Sequence, residues 1–97
     1  MEEIIWTREA ERWLKDIYEY IALDNKQTAT EVIDGIYERV QVLGDHPRIG
    51  YTYRVEKEGK VRILLFGHYR IAYLFVEDTG IIILGVFHGA LDIDRYL

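Results

Sequence analysis

The chain has 97 residues, of which 49% are hydrophobic and 30% are charged, and its formal net charge is -5. A chain of this length can build one hydrophobic core, so we expect a single domain over residues 1–97. No cysteine is present, which excludes disulfides and thiolate metal sites. The acidic balance argues against a large phosphate-binding surface, unless the basic residues gather on one face.

The sequence also carries no signal for a membrane. Its longest apolar runs are strand-length, well below the roughly 20 residues that span a bilayer. No basic and then apolar leader opens the chain. We therefore expect a cytoplasmic protein with no membrane partner.

Two amphipathic helices are predicted in the first half of the chain, after a short β-prone run at 3–6. Thr7 is an N-cap candidate for a helix over residues 8 to about 23. The apolar stripe of this helix consists of Ala10, Trp13, Leu14, Ile17 and Ile21, and core and rim packing is expected for Trp13, Tyr18 and Tyr20. A turn at 24–26 leads to a second apolar stripe at helical spacing, which ends at Gly44. We expect Gly44 to take the left-handed conformation after this helix, and Pro47 prevents its continuation.

After Pro47 the pattern changes from helical to extended. Strands are predicted at 61–66, 69–76 and 81–87, because these runs are rich in β-branched and aromatic residues and short turn signals separate them. Residues 51–55 fit either an edge strand or a loop. The order β-α-α-β-β-β predicts an α+β domain, with a helical hairpin packed on one face of an antiparallel sheet.

The sheet face away from the helices is predicted to be unusually apolar. Residues 81–84 read Ile-Ile-Ile-Leu, so both faces of that strand are apolar. We expect either a central strand or a docking surface for another chain, and self-association of the isolated protein through residues 81–86 and the neighbouring helical surface.

Five segments, taken in order, resemble the RelE/ParE superfamily of toxins and together span nearly the whole chain. They are Trp6-Thr7-Arg8-Glu9-Ala10, the helix exit LGDHPRIG at 43–50, Val61-Arg62-Ile63-Leu64, Tyr69-Arg70-Ile71-Ala72-Tyr73 and His88-Gly89-Ala90-Leu91-Asp92. The resemblance implies a RelE/ParE-like fold and the toxin of a type II toxin–antitoxin system. It implies a cognate antitoxin that wraps along the helices and sheet, contact with DNA only through that antitoxin, and no cofactor.

The superfamily has two chemistries. RelE-type members cut messenger RNA in the ribosome with a general acid–base set, whereas ParE-type members inhibit DNA gyrase. The positions that match Val61 and Ile63 are basic in RelE, and Gly89 stands where a nuclease subgroup has a tyrosine. The resemblance therefore favours a ParE-like gyrase inhibitor that is not an enzyme. The alternatives are a ribosome-dependent mRNA endonuclease and a degenerate toxin that only binds its antitoxin.

Arg70 and His88 are the only candidates for catalysis, because both match residues that some nuclease members use. The candidates for binding a target or partner are Arg62, Arg70, His88, Asp92 and Tyr96. The three histidines have no ligand-like spacing, so no metal site is expected. Simpler structural roles are also open, such as an ion pair of Arg70 with Asp92 or Asp94.

Turn geometry predicts how these residues are arranged. A two-residue turn at Gly67-His68 puts Val61 and Ile63 on the same sheet face as Arg70, and Arg62 on the opposite face. A three-residue loop at 78–80 pairs residue 77 with residue 81. Counting outward from that pair makes Arg70 and His88 direct cross-strand neighbours.

Overall fold

The computed structural model describes residues 2–97. Its helices and strands, in chain order, are β1 (Ile4–Trp6), α1 (Arg8–Ala22), α2 (Lys26–Gln41), β2 (Tyr51–Val55), β3 (Lys60–Phe66), β4 (Tyr69–Val76) and β5 (Gly80–His88). The predicted α+β class, with a helical hairpin on a sheet, is confirmed, and residues 51–55 form a strand. Within the described residues, no helix is long and apolar enough to cross a membrane.

Side-chain caps start both helices. The Thr7 hydroxyl accepts a hydrogen bond from the Ala10 N–H at 3.0 Å and donates to the Ile83 carbonyl at 2.8 Å. The first contact caps α1, and the second attaches its N-terminus to β5. The Asn25 side chain caps α2 by accepting from the Thr28 N–H at 3.0 Å.

The predicted left-handed conformation of Gly44 is wrong. Gly44 lies in a short 3₁₀ turn, Val42–Gly44, that follows α2 directly, and only Gly67 and Gly80 among the described glycines have positive φ. The 3₁₀ turn satisfies the end of the helix instead, because the N–H groups of Asp45 and His46 both donate to the Val42 carbonyl.

The sheet is mixed, with strand order β1-β5-β4-β3-β2. β1 runs parallel to β5, and the other neighbouring strands are antiparallel. β5 is therefore a central strand, as one of the two sequence interpretations expected. Ile81, Ile83 and Val86 are fully buried, so residues 81–86 do not form the exposed apolar surface that the predicted self-association required.

Each face of the sheet has its own core. The helices cover one face, where Leu14, Ile36 and Tyr73 belong to the larger cluster. The other face is covered by residues 89–97, here called the closing segment. Its residue Ile93 packs on a smaller buried cluster made of Ile63, Ala72 and Phe87. The chain itself thus covers part of the second face, whereas Leu65 on the same face is 55% exposed.

The β3–β4 register is the predicted one. Leu65 pairs with Arg70 and Arg62 pairs with Tyr73, so Arg62 and Arg70 point to opposite faces. The predicted β4–β5 register is wrong, because Arg70 pairs with Phe87 and His88 pairs with Tyr69. The loop begins one residue earlier than predicted, with Val76 opposite Gly80, and a bulge shifts the pairing between Ala72 and Tyr73.

Candidate functional site

Arg62 lies on the helix-covered side of the sheet and binds backbone. Its Nη1 donates to the Gly50 carbonyl at 2.8 Å and to the Arg48 carbonyl at 3.3 Å. The Tyr73 hydroxyl holds the same loop, because it accepts from the Gly50 N–H at 2.9 Å and donates to the Pro47 carbonyl at 2.8 Å. Arg62 therefore helps to hold the loop between α2 and β2.

Arg70 lies on the other face and also binds backbone. Its Nη2 donates to the Leu91 carbonyl at 2.6 Å and to the Gly89 carbonyl at 3.4 Å. Its Nε is buried and has no hydrogen-bond partner among the described residues. The alternative in which Arg70 pairs with Asp92 or Asp94 is wrong, since the ion pair of Asp92 is with Arg95, at 3.9 Å on the surface.

His88 faces the side opposite Arg70, so the two do not form a polar pair. Its Nδ1 accepts from the Ala90 N–H at 3.1 Å, and its ring packs edge-on against Tyr69 with centroids 5.7 Å apart. Tyr96 lies in the closing segment, with its ring centroid 5.0 Å from that of Trp13 and 5.8 Å from that of Phe87. The five predicted site residues are consequently spread over three separate places.

A groove of about 470 Å³ lies between α1 and the adjoining ends of β4 and β5. Most of its lining side chains are apolar or aromatic, and Asp16 and His88 are the ones that can carry a charge. The lining residues are Trp13, Asp16, Ile17, Tyr20, Tyr69, Val86, His88, Ala90 and Leu91. An apolar groove with few polar groups suits the apolar side of a peptide segment.

Local geometry explains why the groove lies at this place. Trp13, Ile17 and Tyr20 follow helical spacing, so they occupy one face of α1. β1 ends opposite Ile83, so the later residues of β5 have no strand beside them on that edge. The groove forms where α1 lies beside this unpaired part of β5.

The groove has few polar groups, and one of them, His88 Nδ1, already accepts a hydrogen bond from the Ala90 N–H at 3.1 Å. Asp16 has no ion-pair partner within 4 Å among residues 2–97. Burial, and secondarily the nearby Tyr20, raises the pKa of Tyr69 above its ordinary value, which further favours the neutral hydroxyl. The groove therefore presents neutral aromatic rings and one unpaired carboxylate.

The sequence prediction missed this groove, although one signal for it was present. Trp13 and Ile17 lie in the predicted apolar stripe of α1, and Tyr20, which widens this stripe, is expected together with Trp13 to serve core and rim packing. Tyr20 is 78% exposed, so this stripe is wider than the core requires. Such an excess of large exposed side chains on one helix face is the available signal for a binding surface.

Comparisons with known proteins agree with this architecture. Residues 4–93 match the family model described as ParE toxin of type II toxin–antitoxin system, parDE. The chain belongs to this family. A solved structure described as the chromosomal ParDE toxin–antitoxin system from P. aeruginosa is similar, with a TM-score of 0.72, 26% identity and coverage of 91% of this chain and 96% of that one. No curated protein matches.

Family membership identifies the general role of the chain. It is the toxin of a type II toxin–antitoxin system of the ParDE kind, and such a system includes an antitoxin that binds the toxin. The ParE-like toxin that the sequence motifs indicated is thereby confirmed.

Proposed function

We propose that this ParE toxin arrests growth by inhibiting DNA gyrase in the cytoplasm, and that its antitoxin neutralises it by occupying the groove beside α1. The observation that carries the first part is the separation of the residues that an RNA-cleaving site would need. The two candidates for catalysis lie on opposite faces of the sheet.

Cleavage of RNA by its 2′-hydroxyl needs a base, an acid and cations for the developing phosphorane charge, all on one surface. Val61 and Ile63 occupy two positions that are basic in RelE-type nucleases. Their side chains are 2% and 1% exposed, so neither of them can contact RNA. Arg70 is engaged by two backbone carbonyls, and His88 lies on the far side of the sheet. These contacts support a poison that acts by binding.

The target is tested by producing the toxin without its antitoxin and then assaying the purified protein. We expect growth arrest with induction of the DNA-damage response, and loss of supercoiling when purified gyrase acts on relaxed plasmid with ATP. Cleavage fragments at ribosomal A sites within minutes of induction would instead support the mRNA endonuclease. Unchanged growth would support a degenerate toxin that only binds its antitoxin.

The groove is tested with two tyrosine substitutions on α1. Tyr20→Ala removes a lining side chain that is 78% exposed. Tyr18→Ala is the matched control, because two residues along a helix rotate the side chain about 200° away. Aromatic residues at interface centres often contribute at least 2 kcal/mol, so we expect Tyr20→Ala to weaken antitoxin binding by more than about tenfold. Equal affinities of the two variants would refute the groove as the antitoxin site.

A further inference from the structure

The closing segment contributes residues both to the second face of the sheet and to the groove. Ile93 covers the second face of the sheet, where it packs on Ile63, Ala72 and Phe87. Two residues near its start, Ala90 and Leu91, line the groove beside α1. The position of this segment therefore determines the shape of one side of the groove.

Side chains, rather than strand pairing, hold the closing segment in place. Its backbone hydrogen bonds are mostly local, such as those from the N–H groups of Leu91 to His88 and of Tyr96 to Ile93. Its attachments to the rest of the chain are the Gly89 N–H, which donates to the His68 carbonyl at 2.7 Å, the packed side chains of Leu91, Ile93, Tyr96 and Leu97, and hydrogen bonds from two arginines. Arg54 donates to the Leu97 carbonyl at 2.6 Å, and Arg70 contacts the other end.

Arg70 holds the end that borders the groove. Its Nη2 contacts the carbonyls of Gly89 and Leu91, which flank Ala90 on both sides. Hydrogen bonds from a charged guanidinium are stronger than neutral ones, and the short contact to Leu91 is the better of the two. These two bonds limit the directions that the side chains of Ala90 and Leu91 can take into the groove.

Trp13 makes a second connection between the groove and the closing segment. It lines the groove, and its ring also packs against Tyr96 at a centroid distance of 5.0 Å, with an interplanar angle of 87°. A ligand that orders Trp13 in the groove would thus favour the docked position of Tyr96.

We propose that Arg70 is a positioning residue for the groove, and that antitoxin binding and docking of the closing segment stabilise each other. The identity of the ligand rests on the proposed function above. Arg70 does not contact the antitoxin in this proposal. It keeps residues 89–91 in the position that completes the groove, so that little ordering remains when the antitoxin binds.

The proposal predicts two linked effects of Arg70→Ala. Residues 89–92 should exchange their amide hydrogens faster, because the segment spends more time undocked. Antitoxin affinity should fall by about three- to tenfold, because the apparent dissociation constant rises as the binding-competent fraction falls. The loss of one partly exposed hydrogen bond changes such a fraction by roughly this factor. By reciprocity, saturating antitoxin should restore the protection of residues 89–92.

Hydrogen-exchange mass spectrometry on the full chain, with and without purified cognate antitoxin, tests both effects. Arg70→Lys keeps one charged donor and should rescue part of the protection and part of the affinity. Arg95→Ala is the matched control, because Arg95 lies in the same segment, is 79% exposed and makes only a 3.9 Å surface pair. A purely structural role of Arg70 would instead increase exchange in β3 and β4 as well.

Each outcome decides one point. Unchanged exchange at 89–92 in Arg70→Ala refutes the positioning role. If exchange is faster in Arg70→Ala but its antitoxin affinity stays within twofold of the parent, while Tyr20→Ala binds weakly, the coupling is refuted. The groove then remains the antitoxin site. Faster exchange with parental affinity in both variants refutes the groove as the antitoxin site, and the coupling with it.

Discussion

The hydroxyl group of Tyr73 is expected to contribute more to stability than any other tyrosine hydroxyl described in the chain. Tyr73 is fully buried, and its hydroxyl makes two hydrogen bonds that hold the loop between α2 and β2. Tyr73→Phe removes both bonds while keeping the ring in the core. The Gly50 N–H, which is buried, then has no acceptor.

The size of the effect follows from that unsatisfied N–H group. Leaving a buried donor without a partner costs about 1–3 kcal/mol, whereas the Pro47 carbonyl is only partly buried and regains most of its hydrogen bonding from water. We therefore expect Tyr73→Phe to lower the free energy of unfolding by about 2 kcal/mol. For a domain of this size, that corresponds to a fall in Tm of roughly 8–16 °C.

Tyr53→Phe is the matched control for this measurement. The Tyr53 hydroxyl is also buried, but it has no hydrogen-bond partner among the described residues. Removing it should leave the free energy of unfolding unchanged or slightly higher, because a desolvated polar group is lost. Urea and thermal unfolding of both variants measure the difference. A loss for Tyr73→Phe below about 0.5 kcal/mol, or an equal loss for Tyr53→Phe, would refute the reasoning.

The buried hydroxyl of Tyr73 should also make the stability of the protein depend on pH. Burial raises the pKa of Tyr73, although hydrogen bonding with Gly50 and the charge of Arg62 act in the opposite direction. The unfolded chain therefore releases this proton near pH 10, before the folded chain does. The stabilisation is present below pH 10 and is lost as the pH rises toward the folded-state pKa. Tyr73→Phe should lose less stability than the parent between pH 9 and pH 11.

Two further substitution pairs test the backbone and the helix start. Gly80→Ala should lower the free energy of unfolding by about 3 kcal/mol or more, because φ is +134° and a Cβ would lie 2.6 Å from the Glu3 carbonyl oxygen. Gly67 has a φ of +55° and open space around it, so Gly67→Ala should lower the free energy of unfolding by only about 1 kcal/mol. Thr7→Ala should cost about 1–2 kcal/mol through loss of the α1 cap, and the exposed Thr30→Ala less than about 0.5 kcal/mol. Urea unfolding measures the loss of stability in each variant. A larger loss for the second member of either pair would contradict the role given to Gly80 or to Thr7.

The parts of the fold that the sequence predicted correctly depend on local signals. Thr7 caps α1 because its side chain reaches an N–H three residues ahead, and the two-residue turn at Gly67-His68 sets the β3–β4 register. The same register placed Arg62 and Arg70 on opposite faces. The groove was not predicted, because it depends on where α1 passes the unpaired part of β5, a contact between residues far apart in the chain.

The β4–β5 register failed for two reasons that neighbouring residues do not reveal. The loop occupies residues 77–79, with Asp78 in the left-handed conformation at φ 67°, rather than residues 78–80. A bulge at Leu84 then adds one residue to β5. It lies beside Gly85, where a Cβ would come within 2.4 Å of the ring of Phe87, two residues further along the same strand.

The net shift is one residue, and it changes what Arg70 and His88 do. In the predicted register both side chains lie on one face as a polar pair. In the observed register Arg70 contacts the carbonyls of Gly89 and Leu91 from one face of the sheet, while His88, on the other face, accepts the N–H of the residue between them, Ala90. The two residues that the sequence indicated for catalysis thus hold the same short stretch of backbone from opposite sides. Because that stretch borders the groove, the observed register is consistent with the positioning role that we propose for Arg70 at the antitoxin site.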